Sequence, residues 1–305
     1  MFSFAKLLGF VLPLAALVAP AALAAEKPIN VTVTTTMVAD LVREIGGDRV
    51  AVEALMGPGV DPHLYKAAAS DVSKLQKAQV IFYSGLMLEG KLQEVFTNLS
   101  GAKRRVVAVT EALPPDRLLA PAEFEGHPDP HVWFDVTLWK ACIDPIVKAL
   151  SETDPAGKAH YEQRATAAGQ RLDDLHAWAM AKAAELPPER RILVTSHDAY
   201  NYFGRAYGFQ VVGLQGISTV SEAGLADVAK LTDFIKEKGI KAVFVESSVP
   251  HNTIERISRD SGVKIGGELF SDAMGAAGQM ENGYDLGTYE GMIKHNLTTI
   301  VEGLK

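Results

Sequence analysis

The sequence predicts an α/β protein with two lobes, each a mostly parallel β-sheet flanked by helices, joined by one long helix. Two observations indicate this fold. Short β-branched runs alternate with segments of helical periodicity, a pattern typical of parallel sheets. The chain is also longer than one typical domain of about 100–150 residues. We therefore expect a lobe at residues 25–153, a helix within 154–188 and a second lobe at 189–305.

The N-terminus has the pattern of a cleavable secretory signal. A single positive charge, Lys6, precedes an apolar run that contains two prolines and ends at Ala22-Leu-Ala24. A membrane anchor is the alternative, which the prolines disfavour. We expect residues 1–24 to be removed on export. The sole cysteine, Cys142, lies far from the cleavage site, so we also expect no lipid anchor and a soluble periplasmic protein.

Charge excludes one class of partner. The chain has 30 Lys and Arg against 37 Asp and Glu, a formal net charge of −7. Nucleic-acid binding needs basic patches that neutralise phosphates, and this balance disfavours it. A net negative charge mildly favours the attraction of cations.

The elements of the first lobe follow from local periodicity. Val38, Leu41, Val42 and Ile45 share one face of a helix that we expect at 37–45. Runs rich in β-branched residues predict the strands around it. We expect strands at 29–35, 50–55, 80–83 and 105–109, and a second helix at 70–77.

The middle of the chain, 154–186, predicts one long helix. Small and apolar residues recur there at helical spacing, among many Ala, Glu, Lys and Arg residues. At about 1.5 Å per residue such a helix reaches roughly 45 Å, enough to run along both lobes. Pro187 and Pro188 end it.

The second lobe repeats the alternation. We expect strands at 191–195, 209–212, 241–245 and 263–265, and helices at 200–207, 221–238, 254–261 and 289–304. Ser221 and Glu222 predict a capped start for the second of these helices. Gly208 is expected to close the first.

Four segments, two in each lobe, place a metal-binding side chain in a loop that follows a predicted strand. Ligands of α/β proteins gather at that end of the strands. The candidates are His63, His131, His197 and Asp272. The first two each follow Asp-Pro, and proline fixes the backbone just before the imidazole, which lowers the entropy cost of gathering ligands.

Three neutral imidazoles and one carboxylate suit Zn²⁺ or Mn²⁺. Calcium and magnesium prefer mostly oxygen ligands and are disfavoured. A monodentate Asp272 would give a tetrahedral site for zinc, whereas a bidentate one would raise the coordination number towards that preferred by manganese.

Six segments in this order resemble the manganese- and zinc-binding, TroA-like group of ABC-importer substrate-binding proteins. They are Met56-Gly-Pro-Gly-Val-Asp-Pro-His63, Asp129-Pro-His-Val-Trp133, Val194-Thr-Ser-His-Asp-Ala-Tyr200, Gly213-Leu-Gln-Gly-Ile-Ser218, Val245-Glu-Ser-Ser248 and Leu269-Phe-Ser-Asp-Ala-Met-Gly275. The resemblance implies a rigid helix between two lobes, Mn²⁺ or Zn²⁺ as cargo and an importer permease as partner. It also places the four candidates on the family's ligand positions.

Two details bear on the metal. Zinc-dedicated relatives commonly carry a His-rich loop between the first two ligands, but residues 113–126 hold no histidine. Many manganese relatives place Glu at the third position, where this chain has His197. We expect manganese, with a zinc-dedicated protein as the alternative.

Several neighbours have weaker signals. Glu246 and Asp198 are acidic residues near the expected cleft, and either could accept an imidazole N–H. We expect Trp133 and Tyr65 to pack around the site. His127 is read as a solvated loop residue, with a part in metal capture as the alternative.

Two rival functions remain open. A zinc hydrolase needs only three protein ligands and an open position, and the His-Glu-x-x-His signature is absent. The second rival is a surface adhesin, which would need an anchor to stay at the cell surface. We expect no enzyme and a monomer.

Overall fold

The computed structural model describes residues 27–101, 104–124 and 126–305. The expected signal segment, 1–24, lies outside the described residues. Across the described ranges, no helix combines the length and apolar character that a membrane crossing requires.

The first half of the chain forms a four-stranded sheet in which all neighbouring strands are parallel, in the order β2-β1-β3-β4. Its strands are β1 (Ile29–Val33), β2 (Val50–Ala54), β3 (Val80–Tyr83) and β4 (Arg105–Ala108). The helices of this half are α1 (Thr36–Gly46), α2 (Ala69–Lys77), α3 (Gln93–Gly101), α4 (Val136–Ala141) and α5 (Ile143–Thr153). Parallel neighbours require crossover connections, and α1, α2 and α3 supply three of them.

The long helix is α6 (Lys158–Ala183), of 26 residues. At about 1.5 Å per residue it is roughly 39 Å long, somewhat shorter than the sequence predicts. A 3₁₀ turn at Pro155–Gly157 precedes it, because the side chain of Asp154 accepts the Gly157 N–H and holds the chain in a tighter turn there.

The second half forms two pairs of parallel strands, β5 with β6 and β7 with β8, and β5 lies beside β7. The strands are β5 (Ile192–His197), β6 (Gln210–Gln215), β7 (Ala242–Glu246) and β8 (Lys264–Leu269), followed by a small antiparallel hairpin of β9 (Met280–Glu281) and β10 (Tyr284–Asp285). The helices are α7 (Asn201–Tyr207), α8 (Leu225–Lys238), α9 (Asn252–Ser261) and α10 (Tyr289–Leu304). The predicted fold class is confirmed.

Helix α8 begins four residues later than the sequence predicts. Its first residue is Leu225, and the N-cap is Gly224 rather than Ser221. The Asp227 side chain accepts the Gly224 N–H at 3.0 Å, so an acidic residue in the first turn fixes the start. The prediction for Ser221 was wrong because it weighed the serine and not the later aspartate.

One hydrophobic cluster joins the two halves. It includes Val38 of α1, Leu172 and Ala179 of α6, and Met292 and Ile300 of α10, all buried. Helix α6 packs on α1, α4 and α5 along one part of its length and on α10 and α7 along another. A large apolar interface of this kind disfavours independent motion of the halves.

Candidate metal centre

His63 stands in the loop after β2. The Asp61 carboxylate accepts the His63 backbone N–H at 2.8 Å, which fixes the loop just before the imidazole. The His63 side chain is buried but borders a cavity of about 430 Å³ between the two halves, here called the vestibule. The first imidazole thus lies between the protein interior and the route to solvent.

His131 is held from behind by Asp129. One carboxylate oxygen of Asp129 contacts both the His131 backbone nitrogen, at 2.9 Å, and the ring Nδ1, at 2.8 Å. Both side chains are fully buried, and the Trp133 ring lies against the imidazole at a centroid distance of 5.2 Å. With Nδ1 engaged by the carboxylate, Nε2 is the nitrogen that faces the centre.

His197 is the last residue of β5 and has a similar support. Glu246, the last residue of the neighbouring β7, accepts the His197 backbone N–H at 2.8 Å. Its second oxygen lies 2.5 Å from His197 Nδ1, and both side chains are fully buried. Adjacent parallel strands that end together therefore place a carboxylate directly behind the imidazole.

Asp272 follows β8 and completes the cluster. Its Oδ1 lies 3.4 Å from His131 Nε2, and its Oδ2 lies 3.4 Å from His197 Nε2 and 3.9 Å from His63 Nε2. Within the described residues neither oxygen has a hydrogen-bond partner, although both are buried. One ligand atom from each of the four residues lies within 4.8 Å of the others.

The three imidazoles differ in their pKa values: one is lowered and two are raised. Burial lowers the pKa of His63 to about 3. Burial has the same sign at His131, but Asp129 and Asp272 outweigh it and raise the pKa to about 9. At His197 burial is likewise outweighed, by Glu246 and Asp272, so its pKa lies well above the usual value.

The pKa of the Asp272 carboxylate shifts in the opposite direction to those of His131 and His197. Burial raises the pKa of Asp272, but His197 and His131 outweigh it and hold the pKa well below its usual range. A buried carboxylate that stays ionised beside three imidazoles is a donor set for a divalent transition metal. The carboxylates behind two of the rings add the outer support typical of metal-bound histidines.

The neighbouring residues divide into those near the centre and those away from it. Glu246 lies directly behind His197, as described. Asp198 is turned to Asn201, whose amide donates to it at 2.9 Å and to Asp129 at 3.2 Å. Asp129, which the sequence alone did not single out, supports the His131 ring at Nδ1. The spacing Asp-x-His, which lets a side chain reach a backbone N–H two residues on, is the signal that could have found it.

Tyr65 does not pack around the site, and that expectation was wrong. Its hydroxyl donates to Asp71 at 2.6 Å and lies 3.2 Å from the Leu55 carbonyl oxygen, within a separate hydrophobic cluster behind the first sheet. A buried acceptor on the following helix draws the ring away from the loop. Cys142 is buried.

His127 is exposed and lies against Phe124 at the vestibule, which is lined from both halves of the chain. The side chains that line it include His63, Met87, Lys91, His127, Ile217 and Val220.

A group of hydrogen bonds, here called the back wall, joins the halves on the buried side of the cluster. The Trp133 ring N–H donates to the Ser271 carbonyl at 3.0 Å, and the Tyr289 hydroxyl donates to the Trp133 carbonyl at 2.6 Å. The Tyr202 hydroxyl donates to the Asp129 carbonyl at 2.9 Å. These buried contacts fix His131 and Asp272 relative to each other.

Comparison with known proteins places the chain among metal-binding proteins. A family model described as ZnuA, the periplasmic component A of a zinc-uptake complex, matches residues 31–303. The zinc-binding protein TroA of Treponema pallidum is 49% identical over 283 residues, which cover 91% of this chain and 89% of that protein. The manganese-binding lipoprotein MntA of Bacillus subtilis is 46% identical over 286 residues, which cover 92% and 91% respectively.

A solved structure agrees with these matches. The periplasmic zinc-binding protein TroA from Treponema pallidum superposes with a TM-score of 0.85 at 47% identity, covering 91% of this chain and 99% of that one. The resemblance predicted from the six motif segments is therefore confirmed, and the chain belongs to the ZnuA/TroA family of metal-binding proteins.

Proposed function

We propose that the protein captures a divalent transition-metal ion, Mn²⁺ or Zn²⁺, and delivers it to an ABC importer. The observation that carries the proposal is the convergence of four buried ligand atoms within 4.8 Å. In this assignment the metal ligands are His63, His131, His197 and Asp272. The relatives named for zinc and for manganese support the same choice of ions.

The orientation of Asp272 supports manganese as cargo. Both of its oxygens face imidazole nitrogens and neither has another partner within the described residues. A bidentate carboxylate and three nitrogens supply five donor atoms, whereas closed zinc sites are almost always four-coordinate. Zinc still binds such ligands more tightly than manganese in solution, so the cargo depends on which ion the compartment supplies.

The role is transport rather than catalysis. The four proposed ligands are buried, which leaves little room beside the ion for a water and a substrate. The hydrophobic cluster shared by both halves supports small rearrangements around the ion instead of a wide hinge motion. We infer that a permease accepts the ion from a monomeric binding protein whose lobes comprise residues 25–153 and 189–305, with the backbone helix inside 154–188.

We place this activity in the periplasm, after removal of residues 1–24. The signal pattern at the N-terminus supports export, and a family relative is described as periplasmic. Another, MntA of Bacillus subtilis, is described as a lipoprotein. Mass spectrometry of the protein from a periplasmic extract checks the assignment: we expect a chain that begins at residue 25, and a mass increased by lipid would contradict it.

Titration of metal-free protein tests the proposal. We expect one Mn²⁺ or one Zn²⁺ per chain, with zinc the tighter of the two. Elemental analysis of protein isolated from its own compartment should find manganese. A wild-type chain that binds neither ion would exclude the function, and bound zinc in place of manganese would reverse the choice of cargo.

A further inference from the structure

A hydrogen bond crosses the cleft in front of the metal centre. The Thr219 hydroxyl, from the loop after β6, donates to Asp61 Oδ2 at 2.6 Å. The other oxygen of Asp61 accepts the His63 backbone N–H at 2.8 Å. One carboxylate therefore connects the loop of the first proposed ligand to the opposite half of the molecule.

This contact stands alone between the two loops at the cleft mouth, 57–65 and 216–224. Among the hydrogen bonds recorded for the described residues, no other joins these mouth loops. The back wall, by contrast, has three buried hydrogen bonds near His131 and Asp272. Loss of the Thr219 bond would therefore free the front of the site while the rear stays in place.

His63 depends on its loop more than the other imidazoles depend on theirs. Asp129 contacts Nδ1 of His131, and Glu246 lies at Nδ1 of His197. The recorded carboxylate contact of the His63 ring is with Asp272, at Nε2, on the side of the proposed ion. Its ring position is therefore set chiefly by the loop that Asp61 holds.

The loop has room to move. A Cβ added at Gly57 would meet nothing within 4 Å, so this side of the loop faces open space. Gly59 adopts φ +71°, a conformation in which other residues are strained. The vestibule borders His63 and gives the ring space to move into.

We propose that the Asp61–Thr219 hydrogen bond is a latch that holds His63 on the metal ion and sets the rate at which the ion leaves. The proposal rests on the function argued above, because it assumes that His63 binds the ion. Asp61 and Thr219 are positioning residues that act through His63. Opening the latch lets the loop withdraw one ligand and opens the vestibule side first.

Thr219→Val tests the latch because it removes the hydroxyl and nearly keeps the shape. Stopped-flow release of Mn²⁺ or Zn²⁺ to a chromogenic chelator measures the effect. We expect release about tenfold faster than wild type, the scale of one hydrogen bond to a charged group, with an unchanged association rate. Thr219→Ser keeps the hydroxyl and should restore the slow release.

The control is Thr166→Val in α6, where the exposed hydroxyl bonds only to Glu162 of the same helix. Its release rate should equal that of wild type. Thr219→Ala is a second variant, for use if the valine perturbs the loop, and circular dichroism verifies the fold of each. Combining Thr219→Val with Asp61→Ala should add nothing beyond Asp61→Ala alone.

Release as slow in Thr219→Val and Thr219→Ala as in wild type would overturn the latch while leaving the metal site intact. Failure of Thr219→Ser to restore slow release would also overturn it. Wild-type protein that takes up no ion would instead overturn the proposed function, so the two failures are distinguishable.

Discussion

The back wall and the mouth loops hold their histidines by different means. His131 and His197, here called the back-wall imidazoles, each have a carboxylate at Nδ1. The back-wall hydrogen bonds from Trp133 and Tyr202 join the halves near His131. At the mouth, His63 depends on a glycine-containing loop and on one hydrogen bond across the cleft. A site can thus be preorganised on one side and adjustable on the other.

This difference fits what a carrier must do. Preorganised ligands reduce the ordering cost of binding, which favours affinity. A ligand on a movable loop gives the ion a way out without dismantling the rest of the site. The comparison predicts that the same kind of substitution has unequal effects at the two places.

The largest effect is expected when one of the back-wall imidazoles, His197, is removed. His197→Ala deletes a nitrogen whose position is fixed in advance and leaves one buried oxygen of Glu246, Oε2, without the imidazole. We expect metal affinity to fall by roughly 100- to 1,000-fold, taking one quarter of the binding free energy of a four-ligand site. Competitive titration with a chelator of known affinity measures it.

His63→Ala is the matched variant at the mouth. This variant should also lower metal affinity by orders of magnitude, but by less than His197→Ala. The loop that carries His63 must become ordered when the metal binds, and that entropy cost offsets part of the free energy that His63 contributes. Equal losses would contradict the comparison. Unchanged affinity in both variants would exclude the ligand assignment.

The next largest effect is expected when the carboxylate that contacts the His197 ring is neutralised. Glu246→Gln keeps the size but removes the charge that supports His197 Nδ1, and we expect a loss of about 10- to 100-fold in affinity. Asp198→Asn is the control, since Asp198 bonds to Asn201 and not to an imidazole. A loss as large in the control would show that general charge near the cleft, not contact with the ring, sets the affinity.

Acid should weaken binding through the back-wall imidazoles. The pKa of His131 is raised to about 9 and that of His197 lies well above its usual value, so we expect both rings to be protonated in the metal-free site at neutral pH. Metal binding must displace these protons, and affinity should rise as pH increases towards the raised pKa values. His63, with its pKa lowered to about 3, contributes no proton at neutral pH.

Calorimetry in buffers of different ionisation enthalpy counts the released protons. We expect one proton from each of the two back-wall imidazoles. Proton release close to zero near neutral pH would contradict the difference in pKa between these imidazoles and His63.

The smallest effect on metal is expected at Tyr65. Tyr65→Phe removes the hydroxyl that donates to Asp71 and should lower the free energy of unfolding by about 1 kcal/mol. Metal affinity should stay as in wild type, because the ring packs behind the first sheet. Chemical denaturation measures the free energy of unfolding, and titration measures the metal affinity. A loss of affinity would indicate that Tyr65 does contact the site.

The sequence predicted the alternating elements well and their less regular neighbours poorly. Apolar and β-branched patterns gave β1 to β8 and α10 within a few residues, because burial repeats along such elements. Helices α3, α4 and α5 were missed. Pro145 lies in the first turn of α5, where helices tolerate it, and Asp135 caps α4 with a side chain that accepts the Thr137 N–H.

The four clustered residues were easier to predict from the sequence than the acids that support their rings. The residue types and the two Asp-Pro-His triplets single out the four clustered residues. Which acid lies behind which ring depends on strand neighbours. Glu246 reaches His197 only because β7 lies beside β5, and Asp198 is turned away by the amide of Asn201. Such pairings are set by tertiary structure and leave no local pattern.

Helix α10 has a consequence for how the chain acquires its structure. Its 16 residues include Met292, Leu297 and Ile300, which close the hydrophobic cluster that starts at α1. The part of α6 that packs on α10 therefore stays uncovered until Tyr289–Leu304 has been synthesised. A polypeptide arranged in this way cannot complete its main hydrophobic cluster during most of its translation.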